Sequence, residues 1–170
     1  ENNILYLKSK NPRKLLAEFA AKINNKRPNN LIAVTGTNGK SSIANFYYQI
    51  LKLNKIKVSS IGTLGVSGIN YKKNISNTTY DPIQLNNIFR ILNKKRINNV
   101  ILEASSHGLK QNRLDGILFD LGIFTNLSRD HLDYHKTFKD YFNSKLILFR
   151  KLMKKKSNII FDEDLNIAKK

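Results

Sequence analysis

Short apolar runs alternate with helix-period stripes along this chain, and that alternation limits the possible folds more than any other feature. Leu31, Ile32, Ala33 and Val34 form an unbroken apolar run, as expected of a strand covered on both faces. A glycine-bearing turn follows at 36–39, then a helical pattern over 41–52 with apolar positions Ile43, Phe46, Tyr47, Ile50 and Leu51. Further strands are read at 58–61, at 100–102 ending in Glu103, at 117–124 and, short, at 158–161. Helices are read over 82–95 and over 138–152, the latter with Tyr141, Phe142, Lys145, Leu148, Phe149 and Leu152 at helical spacing. Glycines 65 and 68 make 64–71 a candidate small hairpin, and 165–170 the start of a helix. The pattern predicts an α/β fold with a mostly parallel sheet, flanking helices and a small antiparallel hairpin. Ligands of such folds bind beyond the carboxyl ends of the strands.

Ahead of this core, residues 1–30 read as a connector. Asn11 and Pro12 signal a turn or helix start, and 13–22 carries a stripe through Leu16, Phe19 and Ala20 that reaches Ile23. Residues 24–30 are polar, contain Pro28 and read as a loop.

Composition excludes several classes. The 170 residues are 41% hydrophobic, which is globular rather than disordered. There is no cysteine, so neither a disulfide framework nor a thiolate metal site is available. No apolar run reaches the roughly 20 residues of a membrane span, and no secretory signal opens the chain, so a cytoplasmic location is expected. The net charge of +18 calls for an anionic partner or reflects a bias toward Lys, Asn and Ile. Its even spread favours the bias; only 151–156 and 169–170 are dense. No recognition-helix, RNA-binding or zinc-finger pattern accompanies it, so no nucleic-acid partner is expected.

Three polar clusters stand at strand ends. Gly36, Thr37, Asn38, Gly39, Lys40, Ser41 and Ser42 lie between a strand and a helix. In that setting backbone N–H groups can face phosphate oxygens, Lys40 can reach the outer phosphates, and the Ser41 hydroxyl can ligate Mg²⁺. The usual phosphate loop has glycine where this chain has Val34, so this is a shorter form. A plain helix-capping turn is the alternative. Glu103 is either a magnesium ligand or an ordinary strand-end carboxylate. His131 and His135 stand four apart, on one face if the segment is helical. They lack the glutamate of a zinc motif and read more readily as structural. Lys145 reads by spacing alone as a lysine whose stem packs while its ammonium reaches water.

Taken in order, these segments resemble the Mur ligases, most closely the MurE type. The match rests on 36–41, on Asn77, Thr78 and Thr79, on 103–109, on Gln111, Asn112 and Arg113, on 124–135, and on 141–145. It covers 31–170, with Asn11, Pro12 and Arg13 resembling the run-in to the ATP domain. Tyr80 departs from a frequent proline and Ala104 from larger aliphatics.

The resemblance implies the fold of the family's central, ATP-binding domain over 31–170. Residues 1–30 would be a remnant of the N-terminal domain, and the C-terminal amino-acid-binding domain would be absent. It implies ATP and Mg²⁺ as cofactors, with phosphate contacts from 36–42 and catalytic roles for Lys40, Glu103, His131 and Lys145. Metal ligands would be Ser41, Glu103, His131 and Lys145 as its carbamate. Asn77, Thr78, Thr79, Ser105, Gln111 and Arg113 would hold a UDP-N-acetylmuramoyl dipeptide, to which an amino acid is joined by a monomeric enzyme. A folylpolyglutamate-synthetase-like ligase, or a non-catalytic basic nucleotide- or nucleic-acid-binding domain, are the alternatives.

Overall fold

The computed structural model describes residues 4–71 and 77–163. In chain order the elements are α1 (Pro12–Ile23), β1 (Asn30–Thr35), α2 (Lys40–Leu53), β2 (Val58–Gly62), β3 (Gly65–Val66) and α3 (Pro82–Lys94). They continue as β4 (Asn99–Glu103), α4 (Ser106–Lys110), β5 (Phe119–Phe124), α5 (Leu132–His135), α6 (Phe138–Lys151) and β6 (Met153–Phe161). The six strands form one sheet in the order β3-β2-β4-β1-β5-β6. All neighbours are parallel except β2 and β3. The mostly parallel α/β sheet with one antiparallel pair is therefore as the alternation predicts.

Three of the four long helices start on a side-chain cap, and α2 starts at Gly39 without one. The Asn11 side chain accepts from Lys14 N at the head of α1, and Asp81 accepts from Ile83 N and Gln84 N at the head of α3, each with proline in the first turn. Thr137 caps α6 by accepting from Asp140 N.

Side chains along β1 alternate between two cores. Leu31 and Ala33 join α3 and α6 through Ile88, Phe89, Leu92 and Leu148, all 0% exposed. Burying one such large side chain contributes about 1.5–3 kcal/mol. Ile32 and Val34 pack with Ala44, Ile43 and Tyr47 of α2 on the other face.

Several expectations need correction. In α1 the buried side chains are Ala17, Ala20 and Ala21, while Leu16, Phe19 and Ile23 are exposed. Small residues let this helix lie close: a Cβ at Gly116 would stand 2.8 Å from the Ala21 Cβ. In α2, Phe46 and Ile50 face outward because Ala44 is the position that meets the sheet. The hairpin is formed by β2 itself with β3, through the turn at Thr63 and Leu64, and not within 64–71. β6 is longer than read and includes Lys154, Lys155 and Lys156, exposed on an edge strand where charge discourages pairing with other chains. The helix read at 165–170 lies outside the described residues. No described helix is long and apolar enough to cross a membrane.

Candidate active site

Register brings three loops together. Val34 stands opposite Glu103, and Thr35 opposite Phe124. The chain thus leaves β1, β4 and β5 at one level, and the turns after them share one rim of the sheet.

The turn after β1 needs its glycines. Gly36 has φ 147° and Gly39 has φ 83°. A Cβ at Gly36 would stand 1.8 Å from Thr125 Oγ1. The turn after β5 holds this loop through a set of hydrogen bonds. Thr37 N donates to Asn126 O (3.0 Å), Asn38 N to Asn126 Oδ1 (2.9 Å), and Thr125 Oγ1 to Asn38 O (2.6 Å). Ser128 N donates to Thr37 Oγ1 (3.0 Å), which also meets Tyr141 OH (3.0 Å). Val34 is a buried strand residue, so the loop is short because β1 runs on through Thr35.

At the head of α2, Ile43 N donates to Gly39 O (3.0 Å). The N–H groups of Lys40, Ser41 and Ser42 precede it in the first turn, where a helix end favours anions. Lys40 Nζ folds over the loop and donates to Gly36 O (3.0 Å) and Thr37 O (2.7 Å). Burial lowers its pKa, and the nearby carboxylates of Glu103 and Asp130 oppose that shift.

Glu103 is buried at the end of β4. Its Oε2 accepts from Ser41 Oγ (2.8 Å) and Thr63 Oγ1 (3.2 Å), and its Oε1 from Thr63 N (3.0 Å). Ser41 and Glu103 thus present adjacent oxygen donors, the type a hard cation takes. Among the described residues no three His, Cys, Asp or Glu side chains gather as a metal cage.

Lys145 departs from the reading by spacing. It is 1% exposed, so its ammonium does not reach water. Its Nζ donates to Gly36 O (2.6 Å) and lies 4.3 Å from the centroid of the Tyr141 ring. Burial, reinforced by the charge of Lys40, lowers its pKa to about 7, against a smaller opposing effect of Asp130.

His131 caps α5 at φ 50° and is exposed. His135 is fully buried, with Nε2 against Ser106 Oγ (3.0 Å) and Nδ1 against Ser144 Oγ (3.3 Å). The two differ in exposure, and His135 N donates to His131 O (3.0 Å). Both rings pack on His107, with centroids 4.8 and 5.3 Å from it. All three histidines of the chain therefore converge here. Burial, then the charge of Lys110, lowers the His135 pKa to about 4.

A cleft of about 290 Å³ unites these groups, lined by Lys40, Lys145, His107, His131, Asn77, Thr78, Ser105, Ser106 and Arg113. By hydrogen bonding the site has two sides, the phosphate-loop side around Lys40 and Lys145, and the side of Thr79, Ser105, Gln111 and Arg113, whose members bond one another. Thr79 Oγ1 donates to Glu103 O (2.9 Å) and meets Ser105 Oγ (3.0 Å). Arg113 Nη1 donates to Thr79 O (2.6 Å), and Arg113 Nη2 to Gln111 Oε1 (2.7 Å). Ser105 also caps α4, accepting from Gly108 N (3.1 Å). Of the residues singled out above, Lys40, Asn77, Thr78, Ser105, Arg113, His131 and Lys145 line the cleft. Thr79 and Gln111 join it through hydrogen bonds to Ser105 and Arg113, and Glu103 is bonded to Ser41 and to the Thr79 hydroxyl. Asn38, Gly39 and Ser42 are exposed on the loop and the head of α2. Sequence reasoning missed Thr63 and the holding roles of Asn126 and Tyr141, whereas His135, buried between two serines, is in keeping with the structural reading. Asn126 was signalled only by the polar stretch after Phe124, and Thr63 and Tyr141 lie outside that stretch.

Residues 34–170 match the family model described as Mur ligase middle domain. A relative from Brucella melitensis, UDP-N-acetylmuramoyl-L-alanyl-D-glutamate–2,6-diaminopimelate ligase, is 43% identical over 154 residues, 90% of this chain and 32% of the relative. A solved structure described by the same activity superposes with a TM-score of 0.79 at 31% identity, covering 99% of this chain and 35% of that one. The structure of E. coli FolC with ADP superposes at 0.68 and 20% identity, covering 96% of this chain and 44% of that one, a likeness of fold alone. The chain spans about a third of the length of the curated relatives it matches. On the matched residues and the shared rim of loops, the chain belongs to the Mur ligase family, as its middle domain.

Proposed function

We propose that this segment is the ATP-binding part of a ligase that adds the third amino acid to UDP-N-acetylmuramoyl-L-alanyl-D-glutamate. The observation that carries it is the convergence on Gly36 O of two lysines from distant parts of the chain. Lys40 and Lys145 both donate to it, beside the Ser41–Glu103 pair. Residues 31–170 are taken as the central domain and 1–30 as a connector. A monomer in the cytoplasm, without nucleic-acid partners, belongs to the same reading.

The reaction places a substrate carboxylate against a triphosphate. A carboxylate oxygen attacks the γ-phosphorus, ADP leaves, and an acyl phosphate results. The incoming amine then attacks the acyl carbon, inorganic phosphate leaves, and the nitrogen releases a proton. Lys40 and the N–H groups at the head of α2 would hold the phosphates and offset their charge. Ser41, Glu103, His131 and carbamylated Lys145 would hold Mg²⁺, which when bound screens the developing charge. Asn77, Thr78, Thr79, Ser105, Gln111 and Arg113 would orient the UDP-sugar peptide. The relatives' names give 2,6-diaminopimelate as the amine; lysine is the alternative.

The lowered pKa of Lys145 supports its carbamylation. Near pH 7 much of its amine is neutral, and a neutral amine can attack CO₂, forming a C–N bond and releasing a proton. Higher identity to the diaminopimelate ligases than to FolC favours this substrate over a folylpolyglutamate.

Calorimetry of the chain with ADP and Mg²⁺ tests the reading. Weak binding is expected, weakened roughly 10-fold in Lys40→Ala, and no binding at millimolar ADP would overturn it. The 170 residues alone are expected to form no amide. Carbon NMR with labelled bicarbonate should show a carbamate signal that Lys145→Ala removes.

A further inference from the structure

Thr63 lies in the two-residue turn between β2 and β3 and belongs to none of the sequence clusters above. Its backbone N–H and its hydroxyl each donate to a different oxygen of the Glu103 carboxylate, at 3.0 and 3.2 Å. The preceding Gly62 lets the turn come this close: a Cβ there would stand 2.1 Å from Glu103 Oε1. Ser41 Oγ donates to Oε2 from the other side. Both Thr63 donors are neutral. They orient the carboxylate without cancelling its charge, as a lysine or arginine partner would, and leave that charge for a cation. The same hydroxyl reaches Thr78 Oγ1 at 3.0 Å, so the turn also touches a residue that lines the cleft.

We propose that Thr63 is a positioning residue for the Glu103 carboxylate and sets the affinity of the site for Mg²⁺ in the presence of nucleotide. This rests on the reading of Glu103 as a magnesium ligand. Outer partners of metal ligands typically change metal affinity roughly 10- to 100-fold when removed.

The test measures ADP binding by the full 170-residue chain in excess Mg²⁺ and in EDTA. Thr63→Val should reduce the magnesium-dependent enhancement roughly 10-fold and leave magnesium-free ADP affinity unchanged. Thr63→Ser should restore it. Thr63 is exposed, so Val is expected to leave the melting temperature unaltered. Equal losses with and without magnesium, or an intact enhancement, would overturn the inference. Glu103→Gln separates the two readings. If it preserves the enhancement, the metal role of Glu103 falls and the inference with it. If it removes the enhancement and Thr63→Val does not, only the inference falls. Should the chain bind no ADP, the proposed function is overturned and a crystal structure of Thr63→Val decides the inference. A Glu103 carboxylate turned away from position 63 supports it; an unmoved carboxylate defeats it.

Discussion

The two sides of the cleft handle their polar groups differently. On the phosphate side the loop is held from outside, by Asn126, Thr125 and Ser128, and its own cations fold onto backbone oxygens. Those oxygens are weak partners for an ammonium, and a triphosphate would compete well for it. On the other side Thr79, Ser105, Gln111 and Arg113 already bond one another. The first side is organised around charge awaiting an anion. The second is a network that a ligand must join or rearrange. Lys40 should therefore matter more for binding than for stability, and Arg113 for both.

The frame of the phosphate side is tested most severely by Gly36→Ala. The added Cβ meets Thr125 and the φ of 147° is strained for alanine. A loss of about 4 kcal/mol in urea unfolding is expected, together with loss of ADP binding. An unchanged unfolding midpoint would show that the loop is not built as described.

Lys145→Met should do the reverse to stability. The pKa of Lys145 falls to about 7 in the folded chain, so the unfolded chain binds more protons between pH 7 and the ordinary lysine range. Stability should then rise with pH across that window in the parent chain, and the rise should vanish in Lys145→Met. At pH 7 the substitution should stabilise by about 3 kcal/mol while removing the carbamate signal. Destabilisation on the same scale would mean that the Gly36 contact outweighs the cost of burying the amine.

His135 predicts an acid-side effect. Its folded pKa of about 4 lies below the ordinary histidine value, so its contribution is present above that value and lost as pH falls toward 4. About 2 kcal/mol should disappear between pH 7 and pH 5, and His135→Gln should flatten that part of the profile. A parallel loss in the variant would assign the effect to other groups.

The smallest effects separate the two sides directly. Lys40→Ala should weaken ADP binding by about 1.5 kcal/mol and leave the melting temperature unchanged. Arg113→Ala should lower stability by about 1.5 kcal/mol, because Thr79 O and Gln111 Oε1 lose their donor. If both variants shift melting alike, the distinction between the sides fails.

Much of this was legible in one dimension. The runs 31–34 and 100–102 became β1 and β4 because continuous apolar residues suit strands covered on both faces. The phosphate loop and the polar stretch after Phe124 stood out as clusters. Other features were not legible. Lys154, Lys155 and Lys156 read only as part of a dense basic run, yet they occupy an edge strand, which pattern alone does not separate from a loop. Leu16 and Phe19 marked the apolar stripe of α1, but the packing surface there admits only alanines. Thr63 carried no local signal, since a threonine in a hairpin turn looks ordinary until Glu103 lies beside it.

Local chemistry decided the order of strands and helices, the caps Asn11, Asp81 and Thr137, and the glycines that permit the loop, because each depends on neighbours within a few residues. Tertiary structure alone decided that Lys145 is dry, that His135 is buried while His131 is not, and that Thr63 grips Glu103. Those facts depend on which distant groups displace water from a side chain, and only strand register and helix packing determine that.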